Sequence, residues 1–175
     1  MKNKIRYPDV FYYALIIFLI CFDQLSKYIV FFYKFHCFGF HNRFLSIFPI
    51  MNKGIAFGYL YNKYNFYYFN FISFILICFF IFMYQKKKKL FLSPIPEVFI
   101  IAGGISNFFD RFMYGGVLDF INITIINSLS FPIANFADFF IVGGLLFLSY
   151  EWITDCTYDD LFSDKKNNVK NKKKD

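Results

Sequence analysis

The chain has 175 residues, 58% of them hydrophobic and 26% aromatic, with a formal net charge of +7. A soluble domain of this length keeps too much of its surface wet to bury so many bulky side chains. An ordinary soluble globule is therefore excluded, and lipid is the better solvent for this composition. The charge does not call for nucleic acid as a partner, because most basic residues fall in three short segments: Lys2, Lys4 and Arg6; Lys86 to Lys89; and the tail from Lys165 to Lys174. Basic flanks beside apolar runs are the mark of cytoplasmic ends of membrane spans, and a charge run of this kind reads as a solvated flank.

Residues 1–9 form a basic, cytoplasmic N-terminus, and the first apolar run covers about 10–33. No small-x-small cleavage site follows Cys21 and Phe22, and Asp23 comes next, so the run reads as a retained anchor. Asp23-Gln24-Leu25-Ser26-Lys27 interrupts it. Asp23 and Lys27, four apart, share one helical face and can pair. Such a pair either orients the helix internally or belongs to a functional site, and Lys27 would keep Asp23 ionised and occupied. The segment 34–65 is rich in aromatic and β-prone residues, which predicts a small sheet lying on the membrane.

The second span is expected at about 66–84 and the third at about 95–112, with Pro94 and Pro96 suited to a first helical turn. Each is close to the length of about 20 residues that a bilayer core requires. Asn107, Asp110 and Arg111 share one face near the outer end of the third span. Ala102, Gly103, Gly104 and Ser106 precede them, small residues that allow close helix packing. Asp110-Arg111 reads as a clamp on the following loop, with a direct chemical role as the alternative. In that loop, 113–133, Gly115 and Gly116 free the backbone to fold Asp119 back over the surface.

The fourth span, about 134–153, carries Asp138 near its outer start. The tail 154–175 is Lys-rich, cytoplasmic and disordered in composition. Cys21, Cys37, Cys78 and Cys156 have no metal-ligand spacing and are expected to act as small apolar side chains. The fold class is an all-α polytopic membrane protein, with four transmembrane helices and a small periplasmic β-rich loop subdomain lying on the membrane. The domain of 10–153 has both termini on the cytoplasmic side.

Charged groups within spans mark functional sites or interior polar pairs. Asp119 and Asp138 reach one membrane depth, and neither has a Lys or Arg partner nearby in sequence. Two close carboxylates share a proton, because both cannot easily ionise. The ionised member can then activate water while the other polarises a peptide carbonyl. The helix dipole favours Asp138 as the more charged member.

Four blocks in register resemble the lipoprotein signal peptidase (signal peptidase II) family. They are Asp23-Gln24-Leu25-Ser26-Lys27, Asn52-Lys53-Gly54-Ile55-Ala56-Phe57-Gly58, Gly103 to Arg111 running on to Gly116-Val117-Leu118-Asp119-Phe120, and Asn135-Phe136-Ala137-Asp138. The resemblance covers about residues 10–153. It implies an intramembrane aspartic endopeptidase of the bacterial inner membrane, with Asp119 and Asp138 as the catalytic pair on the periplasmic side. It further implies that Asn52, Gly54, Asn107, Arg111 and Asn135 shape the substrate site, with Asp23, Lys27 and Asp110 in support.

The implied substrate is a diacylglyceryl-modified prolipoprotein cut before its lipidated Cys. The family uses no metal or organic cofactor, is blocked by the cyclic peptide globomycin, and by analogy acts as a monomer among membrane lipids. Ser106 stands where many members have Gly, and Ala134 where an aromatic often precedes the Asn. Both departures bear on substrate fit.

The rival readings are a small transporter or proton-relay protein using intramembrane carboxylates, another intramembrane protease class, and a structural membrane protein. The first predicts carboxylates spread over the membrane depth, with an inverted repeat. Against the second, the chain has no Gly-x-Gly-Asp stretch and no HExxH motif, and its two histidines, His36 and His41, are both in the first outer loop. The third predicts that Asp119→Asn leaves function intact.

Overall fold

The structure is a computed structural model, which describes residues 7–33, 44–53, 63–126 and 129–154. Gly54, His36, His41, Cys37, Cys156, the basic head (Lys2, Lys4 and Arg6) and the tail 155–175 lie outside the described residues. Among the described residues, four helices and three strands follow in the order α1 (Asp9–Phe32), β1 (Leu45–Asn52), α2 (Lys63–Lys89), α3 (Ile95–Tyr114), β2 (Val117–Ile126), β3 (Leu129–Ser130) and α4 (Phe136–Ile153).

Three helices, Asp9–Phe32, Tyr67–Lys89 within α2, and Phe136–Ile153, are long and apolar enough to cross a membrane. Their outward faces carry large apolar side chains, including Ile17, Phe18 and Leu25 on α1, Phe71 and Phe79 on α2, and Leu146 on α4. A water-soluble protein does not present apolar surface on this scale. The chain is a multi-pass membrane protein. Cys21 and Cys78 also stand on these outward faces as free thiols, among the apolar side chains there.

Helix α3 is different. It packs against α1, α2 and α4, and its buried residues include Val98, Ile101, Ala102, Gly103, Ser106, Asn107 and Asp110. It carries Glu97, Asp110 and Arg111, which lower its apolar character, but Glu97 and Asp110 are turned into the bundle. Pro94 caps it and Pro96 lies in its first turn, where the missing N–H costs no helical bond. At its other end Gly115 adopts φ 71°, a left-handed stop that a residue with a side chain rarely takes.

The core comprises Tyr12 and Leu19 of α1, Tyr84 of α2, and Val98, Ile101 and Ala102 of α3. On α1, Tyr12, Leu19, Asp23, Lys27 and Val30 are buried along one stripe, so the polar pair continues the apolar seam. Between α3 and α4 the backbones come close. A Cβ on Gly103 would lie 2.4 Å from the carbonyl oxygen of Ala137, so α4 seats against α3 one residue before Asp138.

The two segments expected to be outer loops meet in one antiparallel sheet of order β1-β2-β3. Leu45 pairs with Ile123, Ile50 with Asp119 and Asn52 with Val117, and the register shifts between Ile47 and Ile50. Pro49 falls in that gap and has no N–H for the ladder, a fit for an edge strand. Ala134 extends the sheet through backbone bonds to Ile121, 2.8 and 3.0 Å long. That link sets the start of α4 beside β2.

Lys86 to Lys89 are not a uniformly solvated flank. Helix α2 continues through them, since Lys is a good helix former and cations suit a helix C-terminus. Lys87 is fully buried, 2.7 Å from Glu97 of α3 and 2.6 Å from Glu151 of α4. Lys88 reaches Asp9 of α1 at 2.7 Å. These contacts tie all four helices at the end of the bundle opposite the sheet.

Candidate active site

The site lies where α4 begins. Asn135 is the N-cap of α4: its Oδ1 accepts the backbone N–H of Asp138 at 3.0 Å, and Asp138 Oδ2 accepts the backbone N–H of Asn135 at 3.1 Å. This reciprocal capping box satisfies two N–H groups that a helix start otherwise leaves unpaired. Capping uses one oxygen of Asp138. Its other oxygen, Oδ1, accepts from Asn107 Nδ2 of α3 at 2.8 Å.

Asp119 arrives from the sheet. It is buried, and both its oxygens accept from amides: Oδ1 from Asn135 Nδ2 at 2.7 Å and Oδ2 from Asn52 Nδ2 of β1 at 2.9 Å. Burial pushes the Asp119 carboxyl up to about 7; the donated bonds from Asn52 and Asn135 oppose the rise, and the charge of Asp138 adds to it. Asn135 therefore touches both aspartates, Asp119 with its side-chain N–H and Asp138 through the cap.

Under this pair lies a second polar layer from α1 and α3. Lys27 Nζ is 2.6 Å from Asp23 Oδ2, 2.7 Å from Asp110 Oδ2 and 3.1 Å from Asn107 Oδ1. Asp23 Oδ1 accepts the backbone N–H of Ala137 at 2.9 Å, and so holds the first turn of α4 from a third helix. The expected pairing of Asp23 with Lys27 is present. The expected Asp110-Arg111 clamp takes another form, because Asp110 is engaged by Lys27 and by Gln24 Nε2 at 2.7 Å. Arg111 instead donates weakly to the carbonyl of Asn107 at 3.4 Å, and its guanidinium lies in the field of Asp138 and Asp119.

Asn52, Asn107, Arg111, Asn135, Asp119 and Asp138 thus converge, with Asp23, Lys27 and Asp110 beneath them. Two participants escaped selection from sequence. Gln24 binds both Asp110 and Ser106 Oγ, the latter at 2.9 Å. Its legible signal was a polar side chain inside a span, three residues before Lys27 on the same face. Ser106 was read as a small packing residue bearing on substrate fit, yet its buried hydroxyl donates to Asp23 Oδ2 at 2.7 Å. Ala134 enters only through its backbone, which any side chain there would supply. Among the described residues no group of three or more His, Cys, Asp and Glu is arranged to hold a metal ion.

The chain is similar to known proteins over most of its length. The family model described as signal peptidase (SPase) II matches residues 15–154. A lipoprotein signal peptidase of Borreliella afzelii is 36% identical over 162 residues, covering 87% of this chain and 94% of the relative. One from Caldicellulosiruptor bescii is 41% identical over 106 residues, covering 61% of this chain and 65% of that relative. Among solved structures, one described as a bacterial membrane enzyme superposes with a TM-score of 0.67 at 25% identity, covering 87% of this chain and 93% of its own. The helical frame, the polar layer at the start of α4 and these likenesses agree: the chain belongs to the signal peptidase II family.

Proposed function

We propose that the chain is an aspartic endopeptidase that removes signal peptides from diacylglyceryl-modified prolipoproteins, with Asp119 and Asp138 as its catalytic dyad. Membership of the signal peptidase II family carries the activity and the prolipoprotein substrate. The observation that carries the dyad is the bridging of the two carboxylates by Asn135.

The chemistry follows from the environments. Asp119, raised to about 7, carries the shared proton near neutrality, and Asp138 at the start of α4 carries the charge. Asp138 takes a proton from water as the water oxygen bonds to the scissile carbonyl carbon, and Asp119 donates its proton to the carbonyl oxygen. A neutral tetrahedral diol results. Asp138 then passes its proton to the leaving nitrogen, the C–N bond breaks, and a diol hydroxyl returns a proton to Asp119. Arg111 and the amides of Asn52, Asn107 and Asn135 hold the pair and its substrate in register.

Helix α3 is the fourth span in this reading. Its 20 residues reach about 30 Å, the thickness of a bilayer core, and its polar side chains are satisfied inside the bundle. The basic segments assign both termini to the cytoplasm of a bacterial inner membrane and the sheet to the periplasmic surface. A lipid-anchored Cys brings its preceding peptide bond to that same depth. The enzyme works as a monomer, without metal or organic cofactor, and is blocked by globomycin. A transporter reading fits less well, because the two aspartates cluster at one end of the bundle.

Complementation of a bacterial strain depleted of its own lipoprotein signal peptidase tests the proposal. Wild type is expected to process prolipoprotein, while Asp119→Asn and Asp138→Asn accumulate to normal levels and leave it uncut. Processing by either variant at a near-normal rate would overturn the dyad.

A further inference from the structure

Lys27 lies one layer below the proposed dyad and touches neither aspartate of it. Its ammonium has three N–H groups and no acceptor. Three oxygens surround it: Asp23 Oδ2 at 2.6 Å, Asp110 Oδ2 at 2.7 Å and Asn107 Oδ1 at 3.1 Å. The ammonium is ion-paired with both carboxylates, donates a hydrogen bond to Asn107 Oδ1, and is buried together with Asp23 and Asp110.

This arrangement settles a matter of chemistry at Asn107. The two ends of an Asn amide are nearly the same size, so their assignment rests on the groups they meet. Here a donor-only ammonium faces one end and the acceptor Oδ1 of Asp138 faces the other, 2.8 Å away. Rotating the amide by half a turn would set N–H against ammonium and a carbonyl against a carboxylate. Asn135 Nδ2 reinforces the choice by donating to the same Asn107 Oδ1 at 3.1 Å, while also donating to Asp119.

We infer that Lys27 is a positioning residue of the protease: it locks the Asn107 amide so that an N–H always faces Asp138. The inference rests on the dyad proposed above. Lys27 acts through Asn107 and never contacts substrate. Asp23 and Asp110 hold the ammonium in place, which gives their burial a role in the reaction.

The test uses the full chain purified in detergent, with a diacylglyceryl peptide as substrate and kcat and KM measured per folded enzyme. Lys27→Met removes both charge and donor, whereas Lys27→Gln keeps an N–H for Asn107 but no charge. Lys27→Met is expected to lower kcat roughly 100-fold, the scale of a misplaced catalytic group, with KM little changed. Lys27→Gln should recover at least about tenfold of that loss. The kcat losses of Lys27→Met and Asn107→Ala should also fail to multiply in the double variant, since both break one link.

Equal losses in the Met and Gln variants, or multiplicative losses in the double variant, would overturn the inference. So would a loss fully accounted for by less folded protein. If Lys27→Met does not fold, combining it with Asp23→Asn and Asp110→Asn removes the stranded charges and allows the same comparison with Gln. Asp119→Asn and Asp138→Asn in the same assay separate the two proposals: activity in either defeats the dyad, whereas dead aspartate variants with equal Met and Gln losses defeat the role of Lys27 alone.

Discussion

Asn135 donates its side-chain N–H to Asp119 at 2.7 Å, while the oxygen of the same side chain caps the helix that carries Asp138. The two duties can be separated. Asn135→Ser keeps a capping oxygen but is too short to reach Asp119, and Asn135→Ala keeps neither. The Ala variant is expected to be less stable than the Ser variant by about 1 kcal/mol, the value of an N-cap, while both lose most of their cleavage activity. Thermal unfolding and peptide cleavage check this; a Ser variant that cleaves normally would show that only the cap matters.

Asp119 links pH to both stability and rate. Its carboxyl is raised from 3.8 to about 7, so the folded chain holds this proton more tightly than the unfolded chain. The resulting stability is complete below about 4 and is lost as pH climbs through about 7, a change of at most about 4 kcal/mol. Melting curves of wild type should therefore weaken between pH 5 and pH 8, and those of Asp119→Asn should weaken less. Parallel curves would contradict the raised value.

The same proton is the acid of the proposed reaction. The rate of wild-type cleavage is expected to decline as pH rises through about 7, because the ionised Asp119 has no proton to give the carbonyl oxygen. A rate that stays level to well above that value, read from a pH series of kcat/KM, would reassign the acid.

Close packing of α3 on α4 gives a steric test. An added Cβ at Gly103 meets the Ala137 carbonyl oxygen at 2.4 Å and Ile141 Cγ1 at 2.8 Å, whereas one at Gly143 meets nothing within 4 Å. Gly103→Ala should push the start of α4 away, lowering stability by about 1–3 kcal/mol and slowing cleavage. Gly143→Ala should leave the rate alone and gain up to about 1 kcal/mol from helix propensity. Equal behaviour of the two variants would refute the close contact.

The buried cation at the other end of the bundle makes a contrasting case. Lys87→Met strands the Glu97 and Glu151 carboxylates, which is expected to cost about 3–5 kcal/mol. Cleavage per folded molecule should not change, since the cluster lies at the far end from the dyad. Melting temperature and specific activity, measured together, check both parts.

The helices were legible because each apolar run approached bilayer length, and the cluster at Asp119 and Asp138 because lipid makes isolated carboxylates conspicuous. Asn135-x-x-Asp138 also has capping-box spacing, so the start of α4 was open to a local reading. Other features were not legible. Lys87 looks the same in sequence as Lys86 or Lys89, and only its approach to Glu97 and Glu151 distinguishes it. Asp110 stands beside Arg111 in the chain, yet Lys27 and Gln24 reach it from another helix. Pairing across helices depends on how faces rotate toward one another, which adjacency does not record.

In chain order, Asp23, Lys27, Asn52, Asn107 and Asp119 all precede Asn135 and Asp138. Until α4 docks, Asp119 lacks its Asn135 donor and Asn107 has no carboxylate to hold. On the proposed dyad, a chain without α4 therefore has no assembled pair of aspartates, and cleavage competence is expected to arrive in one step with that helix. An enzyme proposed to cut lipid-linked precursors would thereby be kept from acting half-built by the position of one four-residue segment in its sequence.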